Sequence, residues 1–155
     1  MANLIGVFEL KIDVKGRFIF PSALKKQMEE VLSGGFVMKK SIFQQCIELY
    51  PIAEWMEETA KVNRLNRFVK KNNDFIRLFM SGSRQVMLDE AGRLLIPKDL
   101  LDFSGIQKSL VIASSIDRLE IWSKDLYDEV VKTGAESFEY LAEDVMGQLG
   151  NEPEA

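Results

Sequence analysis

Apolar and polar positions alternate early in the chain. Phe8, Leu10 and Ile12 interleave with Glu9, Lys11 and Asp13, the period of a strand with one face buried. Phe18-Ile19-Phe20 and Leu94-Leu95-Ile96 are unbroken apolar runs, which predict short strands buried on both faces. Pro21 and Pro97 follow directly. Proline lacks an N–H and presets φ, so each predicts the first turn of a helix. Leu24, Met28 and Val31-Leu32 continue the first as a short amphipathic helix ending near Gly34-Gly35. Lys39 and Lys40 close the next strand and read as charges guarding an edge. Residues 51–80 carry apolar positions at helical spacing, from Trp55 and Met56 to Phe79 and Met80, before Ser81-Gly82-Ser83 interrupts them. Residues 123–148 predict a last helix through Leu126, Val130, Val131, Phe138, Leu141 and Val145, with a frayed end over 151–155.

The pattern occurs twice. Residues 12–24, IDVKGRFIFPSAL, align with residues 88–100, LDEAGRLLIPKDL, sharing Asp13/Asp89, Gly16/Gly92, Arg17/Arg93, Pro21/Pro97 and Leu24/Leu100. Residues 46–51, CIELYP, then align with 118–123, RLEIWS, through Ile47/Leu119, Glu48/Glu120, Leu49/Ile121 and Tyr50/Trp122. Gly16 and Gly92 supply the positive φ that a tight turn requires. Each half is too small to bury a core of its own with ease. Two halves with interleaved hairpins would share one, which predicts a pseudo-twofold α+β domain with helices outside; two independent small sheets are the alternative. The expected divisions are a half-domain over 5–53, a helical connector over 54–81, a second half-domain over 82–125, and a C-terminal helix with acidic tail over 126–155.

Charge changes the picture more than composition does. The chain has 155 residues and a net charge of −4. Residues 1–116 hold 17 bases and 13 acids, whereas residues 117–155 hold 3 bases and 11 acids. A mildly basic body is therefore followed by an acidic tail, a solubilising segment or one that opposes nonspecific phosphate binding or packs against a basic neighbour in an assembly. There is no histidine and only one cysteine, Cys46. Histidine-dependent catalysis, a histidine zinc site and an intrachain disulfide are thereby excluded. Neither a P-loop nor Gly-x-Ser-x-Gly occurs. No enzymatic activity, metal or cofactor is expected. Cys46, in an apolar strand, reads as a buried thiol. The apolar stretches are too short to span a membrane, and the N-terminus does not read as a signal peptide, so a cytoplasmic location is expected.

The candidate chemistry lies at the turns. Lys15 at a hairpin tip and Arg17 at its base form a compact basic finger, and Arg93 is its counterpart in the second half. Such groups suit phosphate contact and, for arginine, base readout. Asp13 and Asp89 stand where they can pair with these arginines, a structural role compatible with posing them for DNA. Lys11, Lys25 and Lys26 lie near the first loop in sequence and are further phosphate candidates. Lys61, Arg64, Arg67, Lys70 and Lys71 read as one basic helical face: a solvated outer face over Val62, Leu65 and Val69 in the first place, with a recognition helix or packing against the acidic tail in an assembly as the alternatives.

Two Asp-x-x-Gly-Arg turns in register, each followed by a short apolar strand and proline, resemble the MraZ family. Leu49-Tyr50-Pro51 with Glu54-Trp55, Phe79-Met80-Ser81-Gly82 and Ile121-Trp122-Ser123 extend the resemblance over nearly the whole chain. It implies two AbrB-like half-domains forming a small swapped-hairpin, double-ψ-like β-barrel. It also implies a transcriptional regulator that binds direct repeats of double-stranded DNA at the promoter of the division and cell-wall gene cluster and represses its own operon. A nucleoid-associated, ring-shaped, octamer-like homo-oligomer is part of the same implication. The DNA-binding residues expected are Lys15, Arg17, Arg93, Lys11 and Lys25, with Asp13, Gly16, Asp89 and Gly92 shaping the loops. Glu90 and Ala91 make the second loop less basic than Val14 and Lys15 make the first. A protein-interaction module using the same barrel without DNA is the alternative.

Overall fold

In the computed structural model, which describes residues 3–151, the alternating stretch becomes strand β1 (Val7–Lys11), and the first apolar run becomes β2 (Arg17–Ile19). Helix α1 (Ser22–Gln27), β3 (Phe36–Lys40) and β4 (Ile47–Pro51) complete the first repeat. Helices α2 (Ile52–Val62) and α3 (Lys70–Met80) connect it to the second: β5 (Arg84–Val86), β6 (Arg93–Leu95), α4 (Lys98–Ser104), β7 (Ser109–Ser115) and β8 (Arg118–Ser123). Two compact units are present, one ending at Lys124 and the other starting at Asp125. The second consists of α5 (Lys124–Ala135), all but its first residue, and α6 (Phe138–Gly147). The expected fraying over 151–155 falls, beyond Asn151, outside the described residues. No helix among them is long and apolar enough to cross a membrane.

Each repeat completes the other. One antiparallel sheet runs β1-β7-β8-β4-β3-β5, and β2 pairs with β6 in a separate antiparallel ribbon. First-repeat strands β1 and β2 thus pair with second-repeat β7 and β6, and second-repeat β5 pairs with β3. Phe18 lies opposite Leu94, and Glu48 lies opposite Glu120. Both are pairs of repeat-equivalent positions, so the pseudo-twofold axis passes between the members of each. The core follows: Phe18, Phe20, Leu24, Met38 and Leu49 pack in one cluster with Leu94, Ile96, Leu100, Ile112 and Ile121. A smaller cluster of Val37, Tyr50, Trp55 and Phe79 fills the other side of the sheet under α2 and α3, with the Trp55 and Phe79 rings stacked at 5.7 Å.

The sheet is open. Its end strands β1 and β5 are not bonded to one another, and β2 and β6 leave it for their own ribbon, each cut to three residues before the proline turn. That ribbon corrects the expectation of burial on both faces. Phe18 and Leu94 are buried, but Ile19 is 68% and Leu95 50% exposed. One ribbon face sits on the core and the other is uncovered in this chain.

The long predicted helices are each two. The segment between α2 and α3 is held by asparagines: Asn66 Oδ1 accepts from the Phe68 N–H (3.0 Å), and Asn72 Nδ2 donates to the Asn66 carbonyl (3.0 Å). Asparagine competes with helical bonding in this way. The basic run is accordingly no single face, since Arg64 and Arg67 lie between the helices and Lys70 and Lys71 open α3. The last predicted helix breaks at residues 136–137. Helix α1 ends at Gln27, earlier than expected, and a single 3-10 turn, Leu32–Gly34, leads to Gly35 at φ 74°.

Lys39 is not an edge guard. Strand β3 lies between β4 and β5, and Lys39 is 1% exposed. Its Nζ donates to the Lys40 carbonyl (2.6 Å), lies 3.4 Å from Glu48 Oε1, and sits over the Phe79 ring at 4.7 Å. The repeat axis sets Glu48 and Glu120 opposite each other; Lys39 pairs with Glu48, and Arg118 is the cation acting on Glu120. Burial first, then the Glu48 carboxylate, push the Glu120 carboxyl up, against a hydrogen bond from Trp122 Nε1. Arg118 ties α2 to the sheet, donating to Tyr50 Oη (2.8 Å), Glu58 (3.2 Å) and Asp117 (2.9 Å).

Ile116, in the β7–β8 turn, is the one non-glycine with positive φ (64°) among the described residues. A β-branched side chain is strained there, and Ile116 is 70% exposed, so little burial offsets the strain. Ile116→Asn is expected to stabilise the fold by about 1 kcal/mol and raise Tm by about 3 °C, measured by thermal melting.

Candidate nucleic-acid interface

The two turns have the same internal wiring. Asp13 Oδ1 accepts from the backbone N–H of Lys15 (2.9 Å) and of Arg17 (2.8 Å), and Oδ2 accepts from Arg17 Nε (2.9 Å). Asp89 Oδ1 accepts from the N–H of Ala91 (2.9 Å) and of Arg93 (2.8 Å), and Oδ2 from Arg93 Nε (2.9 Å). The backbone N–H of Arg17 is the largest influence holding the Asp13 carboxyl below its ordinary value of 3.8, with the Arg17 side chain and the Lys15 N–H adding to it. Asp89 is lowered likewise, first by the Arg93 N–H. A carboxyl depressed in the folded state supports the loop above its ordinary pKa and ceases to as pH falls through the lowered one. The loops therefore keep their shape throughout the neutral range.

Gly16 and Gly92 have φ of 86° and 78°, and a β-carbon on Gly16 would lie 2.9 Å from the Ile96 carbonyl oxygen. The glycines also couple the halves. Ile96 N–H donates to the Gly16 carbonyl (2.8 Å) and Phe20 N–H to the Gly92 carbonyl (2.9 Å). Each aspartate takes only the Nε edge of its arginine. Among the described residues the two terminal guanidinium nitrogens of Arg17 and of Arg93 have no hydrogen-bond partner. Both forks are held in place and open.

The ribbon brings the arginines together. Arg17 lies opposite Leu95, and Ile19 opposite Arg93. Residues two apart on a strand share a face, so Arg17, Ile19, Arg93 and Leu95 form one outward face, arginines on one diagonal and aliphatics on the other. Lys15 stands exposed on the first loop. Lys25 corrects its expected place beside that loop: its Nζ lies at the second, 3.3 Å from where a Gly92 β-carbon would be. The strand exchange carries α1 across to the other repeat's turn. Leu101, the repeat equivalent of Lys25, takes the matching place near Gly16. Each tip therefore has one lysine, Lys15 at the first and Lys25 at the second, although the second loop's own sequence is the less basic. Lys11 lies on β1, its Nζ donating to Ser109 Oγ at 3.1 Å. Lys26 is exposed on α1.

Sequence reasoning missed Ile19 and Leu95 as outward residues. The signal was available: they stand two positions after Arg17 and Arg93 and so share the arginines' face. Cys46 is fully buried, and burial above all raises its thiol to about 12, an inert group at neutral pH.

Known proteins give the same twofold division. The family model described as "MraZ protein, putative antitoxin-like" matches residues 4–78 and again 79–148. A Christiangramia forsetii protein named transcriptional regulator MraZ is 52% identical over 95% of both chains. Proteins of the same name from Flavobacterium psychrophilum and Cytophaga hutchinsonii are 49% and 34% identical, over 98% and 92% of this chain and 97% and 94% of their own. With two family matches spanning the two interleaved repeats, and relatives aligned almost end to end, this chain belongs to the MraZ family.

Proposed function

We propose that this chain is a sequence-specific transcriptional regulator that grips double-stranded DNA with the β2–β6 ribbon and its two flanking turns. The family is one of transcriptional regulators, not of enzymes. One observation carries the reading: two arginines from different repeats, each fixed through Nε by its own aspartate, present open forks on the same narrow ribbon. An arginine fork suits bidentate contact with a phosphate or with guanine. Lys15 and Lys25 flank it as phosphate contacts, Lys11 adds charge farther along β1, and Asp13, Gly16, Asp89 and Gly92 hold the loops. The strand exchange is the feature that supports reading the fold as an AbrB-type swapped-hairpin unit.

Few cations sit on one ribbon, so useful affinity requires several protomers on neighbouring direct repeats, whose linkage raises avidity. A ring-shaped homo-oligomer answers that need. Apolar exposure on the first unit supports self-association: Phe68 is fully exposed and Leu78 76% exposed, and a groove of about 440 Å³ is lined by Trp55, Met56, Ile76 and Met80. Family membership supports the promoter of the division and cell-wall cluster as the target, repression of the chain's own operon as the outcome, and the cytoplasmic nucleoid as the place.

Fluorescence anisotropy with the DNA upstream of the chain's own gene, over a salt series, tests the reading. Tight binding that weakens steeply with salt is expected. No binding at low salt by a folded sample, with salt-independent capture of a protein partner instead, would favour the interaction-module reading.

A further inference from the structure

The arginines do not stand alone on the ribbon. Ile19 and Leu95, 68% and 50% exposed, occupy the other diagonal of the same face. A face meant only for phosphate has no use for them. Exposed aliphatics on a strand are a liability in water, yet both repeats carry one at the equivalent place, directly across from the other repeat's arginine. Each arginine and the aliphatic opposite it thus form a unit with one fork and one apolar surface.

The major groove of B-DNA is wide enough for a two-stranded ribbon, and it offers one prominent apolar feature, the C5-methyl group of thymine. Guanine, the base that arginine reads best, presents its acceptors in the same groove. Resting on the DNA-binding reading above, we infer that the ribbon face enters the major groove and that Ile19 and Leu95 read thymine methyl groups beside the bases or phosphates gripped by Arg17 and Arg93. The ligand feature recognised is a guanine-and-thymine-bearing groove edge, met once by each repeat. The positive groups around the face, Arg17, Arg93, Lys15 and Lys25, suit that polyanionic partner better than the apolar surface of a second copy.

Uracil has the hydrogen-bonding edge of thymine without the methyl. The test is wild-type binding to two duplexes of the same upstream sequence, one with thymine and one with every thymine replaced by uracil. Weaker binding to the uracil duplex is expected, about fourfold for each methyl group that no longer meets Ile19 or Leu95. Ile19→Ser and Leu95→Ser, checked for folding by circular dichroism, are expected to bind the thymine duplex more weakly and, combined, to lose the discrimination. Equal wild-type affinity for the two duplexes would overturn the inference while leaving DNA binding intact. So would discrimination that survives in the folded double variant. Dissociation of an oligomer by these changes, with thymine discrimination kept, would assign the pair to contact between copies and overturn it too. Failure of the wild type to bind either duplex would instead overturn the DNA-binding reading itself.

Discussion

A fragment ending at Met80 is expected to be unfolded, although it holds a whole repeat and both connecting helices. Within it β1 loses β7, β2 loses β6, and β4 loses β8, leaving only the β3–β4 pairing. An isolated hairpin is marginal in water. Half of the apolar cluster leaves as well, because Phe18, Phe20 and Leu24 pack in the same core as Leu94, Ile96 and Leu100. Phe18→Ala in the full chain isolates the same dependence. Phe18 is buried on the repeat axis opposite Leu94, and its truncation is expected to cost about 3–5 kcal/mol, a large share of the roughly 5–15 kcal/mol that holds a domain. Denaturant melts of the full chain should show the transition of the interleaved repeats shifted as a whole. A dispersed NMR spectrum from the fragment, or a variant that loses only one repeat, would mean that the halves fold separately.

Arg17→Ala with Arg93→Ala is expected to weaken DNA binding roughly thirtyfold or more, at about 1–3 kcal/mol for each fork removed. The two single variants should weaken it by similar amounts, because the wiring of the turns is the same and each turn has one lysine at its tip. To the extent that the forks close on phosphates, the double variant should also flatten the dependence on log salt by about 0.9 per phosphate released. Both arginines are part-exposed, so thermal stability should change little. The check is anisotropy beside a melting curve. A double variant that binds as the wild type does would remove the ribbon from the interface.

Much of the fold is legible along the chain because its signals are local. The alternation from Phe8 to Asp13 gives β1, and Pro21 and Pro97 each stand directly before a short helix. The 76-residue offset between Asp13 and Asp89 aligns Phe18 with Leu94, which the structure places face to face on the axis. Partner choice is not local. A repeat reads the same whether its strands pair within it or across to its copy, so neither the separate ribbon nor the open sheet is visible in the sequence. Lys39 shows the same limit: a lysine at a strand end looks like an edge residue until the Phe79 ring, 40 residues later on α3, packs against its ammonium group. Ile19 reads as buried because three consecutive apolar residues carry no period, and only the ribbon's single covered face decides which of them is outside. Lys25 is misplaced by any argument from nearness in sequence, since the exchange carries it to the other repeat's turn.

Whether both repeats present one ribbon face to DNA is tested most directly by methyl NMR. The full chain, labelled at isoleucine, leucine and valine, would be recorded with and without the upstream duplex. The expected result is a compact set of shifts at Val14, Ile19 and Leu95, drawn from both repeats, with the methyls of Ile76 and Leu78 on α3 unmoved. Shifts confined to α2 and α3, or to the loop of one repeat alone, would contradict it.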